Sequence, residues 1–130
     1  MRRGTRLATG AAPPAIGPYA QAVVASDLVF CAGQVGLDPA TGALVPGGVA
    51  AETARALENL AAVLAMAGLG LTDVVKTTVY LVDLGEFAAL NEVYARYFTP
   101  PYPARATVQV AALPAGGRVE IEAIAARPGR

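Results

Sequence analysis

Histidine and tryptophan are absent from this 130-residue chain, and cysteine occurs once. Without histidine there is no imidazole to move protons near neutral pH, and the commonest metal ligand is missing. A Ser-His-Asp or Cys-His device cannot be assembled within one chain. The single thiol, Cys31, can form neither an intramolecular disulfide nor a multi-thiolate zinc site. It lies in Leu28-Val29-Phe30-Cys31-Ala32, an apolar run with no adjacent base, and reads as a buried structural thiol rather than a nucleophile. No metal and no cofactor are expected.

Charge is also scarce. Charged residues make up 15% of the chain, and ten acidic residues cancel ten basic ones. A nucleic-acid binder usually shows a basic face. Here Arg2, Arg3, Arg6, Arg118, Arg127 and Arg130 lie near the ends or in a loop, so no nucleic-acid partner is expected. The opening Met-Arg-Arg is not followed by an unbroken apolar stretch, because Gly10, Pro13, Pro14 and Gly17 interrupt it. Neither a signal peptide nor a membrane span is read, and a cytoplasmic location is the expectation.

What the chain does have is apolar surface: 55% of its residues are hydrophobic. At this length it reads as one domain over residues 1–130, with 1–11 as a flexible N-terminal tail, and it can bury a core without metal or disulfide support. The apolar surplus implies that part of the surface is buried against other subunits.

Ala20–Ala25 and Leu28–Gln34 are strand-like runs joined by Ser26-Asp27, and Asp38-Pro39-Ala40-Thr41-Gly42 is turn chemistry. From Val49 to Ala67, Thr53, Leu57, Leu60, Leu64 and Ala67 recur at helical spacing, with Glu52, Arg55, Glu58 and Asn59 mostly on the other side. Gly68 and Gly70 stop that helix. Val74–Val82 is a β-branched run, hence a buried strand. A second helix starts at Asp83, with Glu86 at capping-box spacing, and Pro100-Pro101 ends it. Both helical stripes need an apolar partner, so the two helices cover one face of the sheet.

The last third carries the chemistry-bearing pattern. In Ala104–Val110, Arg105, Thr107 and Gln109 alternate with Ala106, Val108 and Val110; in Val119–Ile124, Glu120 and Glu122 alternate with Val119, Ile121 and Ala123. Leu113-Pro114-Ala115-Gly116-Gly117 links the two strands, which are expected to lie close together with Arg, Thr, Gln and both Glu on one face. From the residues alone, the plainer reading of that face is a wet sheet surface with cross-strand ion pairs.

The wording of three segments goes further. Ala12-Pro13-Pro14-Ala15-Ile16-Gly17-Pro18-Tyr19-Ala20-Gln21, Ala32-Gly33-Gln34, and Pro103-Ala104-Arg105 followed by Val119-Glu120-Ile121-Glu122-Ala123-Ile124 resemble, in order and spacing, the signature of the RidA/YjgF family of imine deaminases. The resemblance runs from about Ala12 to Ala126. It implies an α+β, chorismate-mutase-like fold, a mixed sheet with two helices on one face, forming a homotrimer with active sites between subunits. It also implies hydrolysis of 2-imino or enamino acids, such as 2-iminobutanoate and 2-iminopropanoate, to 2-keto acids and ammonia.

By the same resemblance, Arg105 grips the substrate carboxylate, for which a guanidinium offers a planar two-bond fork. Glu120 handles the attacking water, the part a carboxylate can play when no histidine is present. Tyr19 and Asn91 match positions tied to the family's site. Gly33 reads as close backbone approach to a ligand or as tight strand packing, and Gln21 and Gln34 as structural. Two positions depart from the family's pattern: Ala32 stands where a Ser is usual and Thr107 where a Cys is usual, which bears on substrate range and rate. Other readings of the same residues are a module that binds a 2-keto acid without turnover, and an RNA-cleaving translation inhibitor. Neutral charge and the missing histidine count against the last.

Overall fold

The computed structural model describes residues 4–128. Alternation along one strand shows how the molecule is layered. In the strand Val119–Ala126, Val119, Ile121, Ala123 and Ala125 are buried, while Glu120, Glu122, Ile124 and Ala126 are only half-buried. This strand is β6 of a six-stranded mixed sheet in the order β1-β2-β3-β6-β4-β5, where β1 is Thr5–Leu7, β2 Ala22–Ala25, β3 Leu28–Val35, β4 Val74–Leu81 and β5 Ala104–Gln109. All pairings are antiparallel except β4 with β5, which run parallel.

The buried face is covered by α1, Gly48–Ala65, and α2, Phe87–Tyr97, which pack beside each other. Leu57, Leu60 and Leu64 of α1 are fully buried, and Leu90, Val93 and Tyr94 supply the inner side of α2. Each such leucine contributes about 1.5–3 kcal/mol by leaving water. They meet Val29 and Cys31 of β3, Ile121 and Ala123 of β6, and Val79 and Leu81 of β4 in one core. Cys31 lies in this core, and burial pushes its thiol up to about 11, so it stays protonated at neutral pH. Among the described residues, no helix lies on the other face. It presents Leu28 and Phe30, both exposed, beside Lys76, Thr78 and Tyr80 of β4 and the two glutamates of β6.

Several expectations need correction. Glu52 and Asn59 are not on the wet side of α1; they are 2% and 0% exposed. Each is buried because it closes a backbone gap. Glu52 Oε1 accepts from the Arg118 amide at 2.7 Å, and Asn59 Nδ2 donates to the Leu37 carbonyl at 3.0 Å. Gly36 makes room for the first of these, since a Cβ there would lie 2.6 Å from Glu52 Cα.

The capping box at Asp83 is only half made. Asp83 Oδ1 accepts from the Gly85 amide at 2.8 Å, but this caps a short 3-10 turn, Leu84–Glu86, and α2 begins at Phe87. Glu86 turns instead to Arg118, whose Nε donates to it at 2.7 Å. In the segment expected to be a tail, Thr5–Leu7 pairs with β2 as an edge strand; residues 1–3 lie outside the described residues. Among the described residues, no helix is long and apolar enough to cross a membrane.

Candidate active site

Strand parity divides the candidate residues between the two faces. On β4, Thr77, Val79 and Leu81 are buried under the helices, and they pair with Arg105, Thr107 and Gln109 of β5. Directly paired residues share a face, so Arg105 points to the helix side. The intervening β4 residues, Thr78 and Tyr80, pair with Glu122 and Glu120 of β6, which therefore point to the open side. The expected single polar face does not exist. β4 stands between β5 and β6, and the arginine and the glutamates lie on opposite faces of the sheet. The reading of Arg105 as a partner of Glu120 or Glu122 falls with it.

On the helix side, the Arg105 guanidinium carbon lies 4.8 Å from the centroid of the Tyr94 ring and 5.4 Å from that of Phe87, both on α2. These distances are in the range where a ring face attracts a cation. The Tyr94 ring is held from behind, its hydroxyl 2.8 Å from Thr77 Oγ1 in a buried pair. Burial chiefly pushes the Tyr94 phenol above its usual range, so it remains neutral. No carboxylate of the described residues forms an ion pair with Arg105. Its positive charge faces a recess of about 340 Å³ that Asn91, Tyr94 and Tyr102 also line. Thr107 follows on the same side of β5 but does not line that recess.

On the open side, half-buried Glu120 lines a cavity of about 500 Å³ together with Tyr19, Ala32 and Gly33. Gly33 has a structural reason: a Cβ there would land on the Glu120 carboxylate. A bulge in β3 between Cys31 and Gln34 brings this backbone against the glutamate. Burial, and secondarily the charge of Glu122, push the Glu120 carboxyl above the usual carboxylate range. The Tyr80 hydroxyl donates to Glu122 Oε1. The wall carrying Tyr19 is fastened by Gln21, which accepts from the Thr9 amide at 2.6 Å and donates to the Pro13 carbonyl at 2.7 Å. Gln21 is thus a bracket for the N-terminal segment.

The family model described as Endoribonuclease L-PSP matches residues 9–127. The chain belongs to that family, the RidA/YjgF family. It is 56% identical, over 92% of its length and 87% of the relative's, to a Bos taurus protein named 2-iminobutanoate/2-iminopropanoate deaminase. Among solved structures, RidA from the Antarctic bacterium Psychrobacter sp. is similar with a TM-score of 0.91 and 48% identity, covering 94% of this chain and 98% of that one. Escherichia coli TdcF with bound serine is similar with a TM-score of 0.90 and 43% identity, covering 95% and 99%.

Of the seven site residues named from sequence, the fold gathers Glu120, Tyr19, Ala32 and Gly33 around one cavity, Arg105 and Asn91 around a second recess, and leaves Thr107 beside the second. Sequence reasoning missed the aromatic shelf of Phe87 and Tyr94. A signal existed in the spacing of Tyr94 three residues after Asn91, which puts both on one side of α2. It also missed Arg118, whose backbone and side chain tie the start of β6 to Glu52 of α1 and Glu86 before α2.

Proposed function

We propose that this protein hydrolyses 2-iminobutanoate and 2-iminopropanoate to the corresponding 2-keto acids and ammonia. The observation that carries this is the 56% identity, over nearly the whole chain, to a protein named for that activity. The presence of Arg105 and Glu120 in chemically suitable settings supports it. So does the relative that holds serine, a small molecule whose carboxylate stands at the same distance from its nitrogen-bearing carbon.

In this reading the working unit is a homotrimer, and each site joins the Arg105 recess of one copy to the Glu120 cavity of the next. Two features support it. Each copy has the two groups on opposite faces, and the open face carries exposed Leu28, Phe30 and Val108 with no layer over them. Arg105 binds the substrate carboxylate through two parallel hydrogen bonds, each contributing about 1.5–3 kcal/mol when shielded from water. Glu120 takes a proton from water as the oxygen adds to C2 and returns it to the imine nitrogen, giving the tetrahedral carbinolamine. In the collapse the hydroxyl's proton passes by the same carboxylate to the amino nitrogen, the C–N bond breaks, ammonia leaves, and the C2 carbonyl forms, so Glu120 ends as it began. A carboxylate of raised proton affinity is suited to this because it is a stronger base at neutral pH than an ordinary one.

The test is a coupled assay in which a threonine dehydratase releases 2-iminobutanoate and the appearance of 2-ketobutyrate is followed. Acceleration proportional to the amount of this protein is expected. A rate equal to the spontaneous one would overturn the reading in favour of a binding module.

A further inference from the structure

Tyr80 belongs to no motif and takes no part in the reaction above, yet it stands directly across from Glu120 in the β4–β6 ladder. Its hydroxyl passes Glu120 by. It donates to Oε1 of Glu122, the residue paired with Thr78 on the next same-face rung. The ring therefore runs diagonally across the open face, a reach that aromatic side chains have in antiparallel pairs. Glu122 follows Glu120 by two residues on the same strand face, which puts the two about 7 Å apart at the backbone. The open face thus holds two neighbouring carboxylates, and only one of them has a hydroxyl fastened to it.

We propose that Tyr80 and Glu122 form a positioning pair for Glu120: the tyrosine pins a second carboxylate beside it, and that fixed negative charge sets the pH range over which Glu120 can take a proton from water. The inference rests on the role given to Glu120 above and deepens it.

The Tyr80 hydroxyl donates to Glu122 and so fixes where that carboxylate sits on the open face. The phenol is in turn held protonated, chiefly by that same bond, so it goes on donating at neutral pH. Like charge nearby disfavours ionisation of the other carboxylate, adding to the effect of Glu120's own burial.

Within one copy, Glu122 is the charged group beside Glu120, and in the trimer proposed above the Arg105 guanidinium of a neighbouring copy also faces it. From β3, the residues against Glu120 are Ala32, Gly33 and Val35, none ionisable. From the turn before β6 come Pro114 and Ala115, and from the N-terminal segment Tyr19, whose hydroxyl lies 3.4 Å from the Ile16 amide that donates to it. Lys76 shares the open face of β4 but pairs with Ile124, two same-face rungs from the Tyr80–Glu120 pair. The Arg118 guanidinium is engaged by Glu86.

The experiment is a carbon-13 NMR titration of the side-chain carboxyls in the whole glutamate-labelled protein, with Glu120 assigned by its loss in Glu120→Gln. In Glu122→Gln, the Glu120 midpoint should fall, and the acidic limb of the kcat/KM profile should move to lower pH by the same amount. Tyr80→Phe, which keeps the ring, should move both the same way by less, and Glu122→Asp, which keeps the charge, should leave the midpoint near that of the wild type. An unmoved Glu120 midpoint in Glu122→Gln, with an unchanged oligomer and near-UV spectrum, overturns the proposal. The titration does not depend on activity. A midpoint that moves while Glu120→Gln turns over normally would uphold the coupling and overturn the role of Glu120 in handling water.

Discussion

The Arg105 recess and the Glu120 cavity are built from the same sheet in opposite ways. Arg105 sits under a helix, against two rings, with the nearer ring fixed by a buried hydroxyl pair. Glu120 sits on the uncovered face, against the bare backbone of Gly33 and beside a second carboxylate. The difference suits the roles proposed for the two groups. A guanidinium keeps its charge almost wherever it is placed, so the protein has only to aim it. A carboxylate that trades protons must have its affinity adjusted, and burial and a neighbouring charge are the means of doing so. In the proposed site, one half is a rigid mount and the other an electrostatic setting.

Removing the mount's charge should have the largest effect. Arg105→Ala loses two charge-assisted bonds, and kcat/KM for 2-iminobutanoate should fall by about 10⁴-fold. Arg105→Lys keeps the charge without the fork and should fall between that variant and wild type. Neither should unfold, because the group faces a recess rather than the core. 2-Ketobutyrate should raise the melting temperature of wild type by mass action but not that of Arg105→Ala. An Arg105→Ala protein with near wild-type turnover would remove this residue from the site.

Glu120→Gln comes next. The amide can still orient a water but cannot take its proton, so kcat should drop by about 10²–10³-fold with KM little changed. Unchanged turnover would mean that backbone carbonyls or another group handle the water.

How much of this was legible in the sequence depends on the distance over which the information acts. Alternation within β5 and within β6 was read correctly, because it is set by neighbours two residues apart. The relation between the two strands was not, because it depends on β4. Arg105's partner on that strand, Thr77, lies 28 residues upstream, and the strand's register decides which residues share a face; a slip of one residue would reverse the answer. Glu52 and Asn59 were misplaced for a similar reason. Helical spacing put them on a polar stripe, but their partners, the Arg118 amide and the Leu37 carbonyl, come from distant segments that no local pattern announces. Tyr19, Gly33 and Glu120 were grouped only through family resemblance, since no spacing connects positions so far apart.

Gly33→Ala probes the setting without removing a charge. Its Cβ would land on the Glu120 carboxylate, and the atom displaced is the end of a flexible side chain. The backbone need not move, so thermal stability should change little. The carboxylate must swing away, and a misplaced catalytic group commonly costs about 10–10²-fold in rate. A fall in kcat with an unshifted melting temperature is the expected result. A large stability loss with normal specific activity would make Gly33 a packing residue alone.

Tyr94→Phe should separate the two halves most cleanly, and with the smallest effect on rate. The change removes one hydroxyl and keeps the ring on which the Arg105 guanidinium rests. What it damages lies behind the ring, where Thr77 is fully buried and loses its partner. Leaving a buried hydroxyl without a hydrogen bond costs about 1–3 kcal/mol, which should lower the melting temperature by several degrees. If the hydroxyl pair only holds the shelf, kcat/KM should drop by less than about 10-fold, and its pH profile should keep its shape, because Glu120 lies on the other face. Tyr94→Leu, which removes the shelf itself, should weaken substrate binding further and show it in KM before kcat. A Tyr94→Phe profile displaced along the pH axis would contradict the division, since it would mean that the shelf sets the proton affinity of the carboxylate, either through the sheet or across the join between copies.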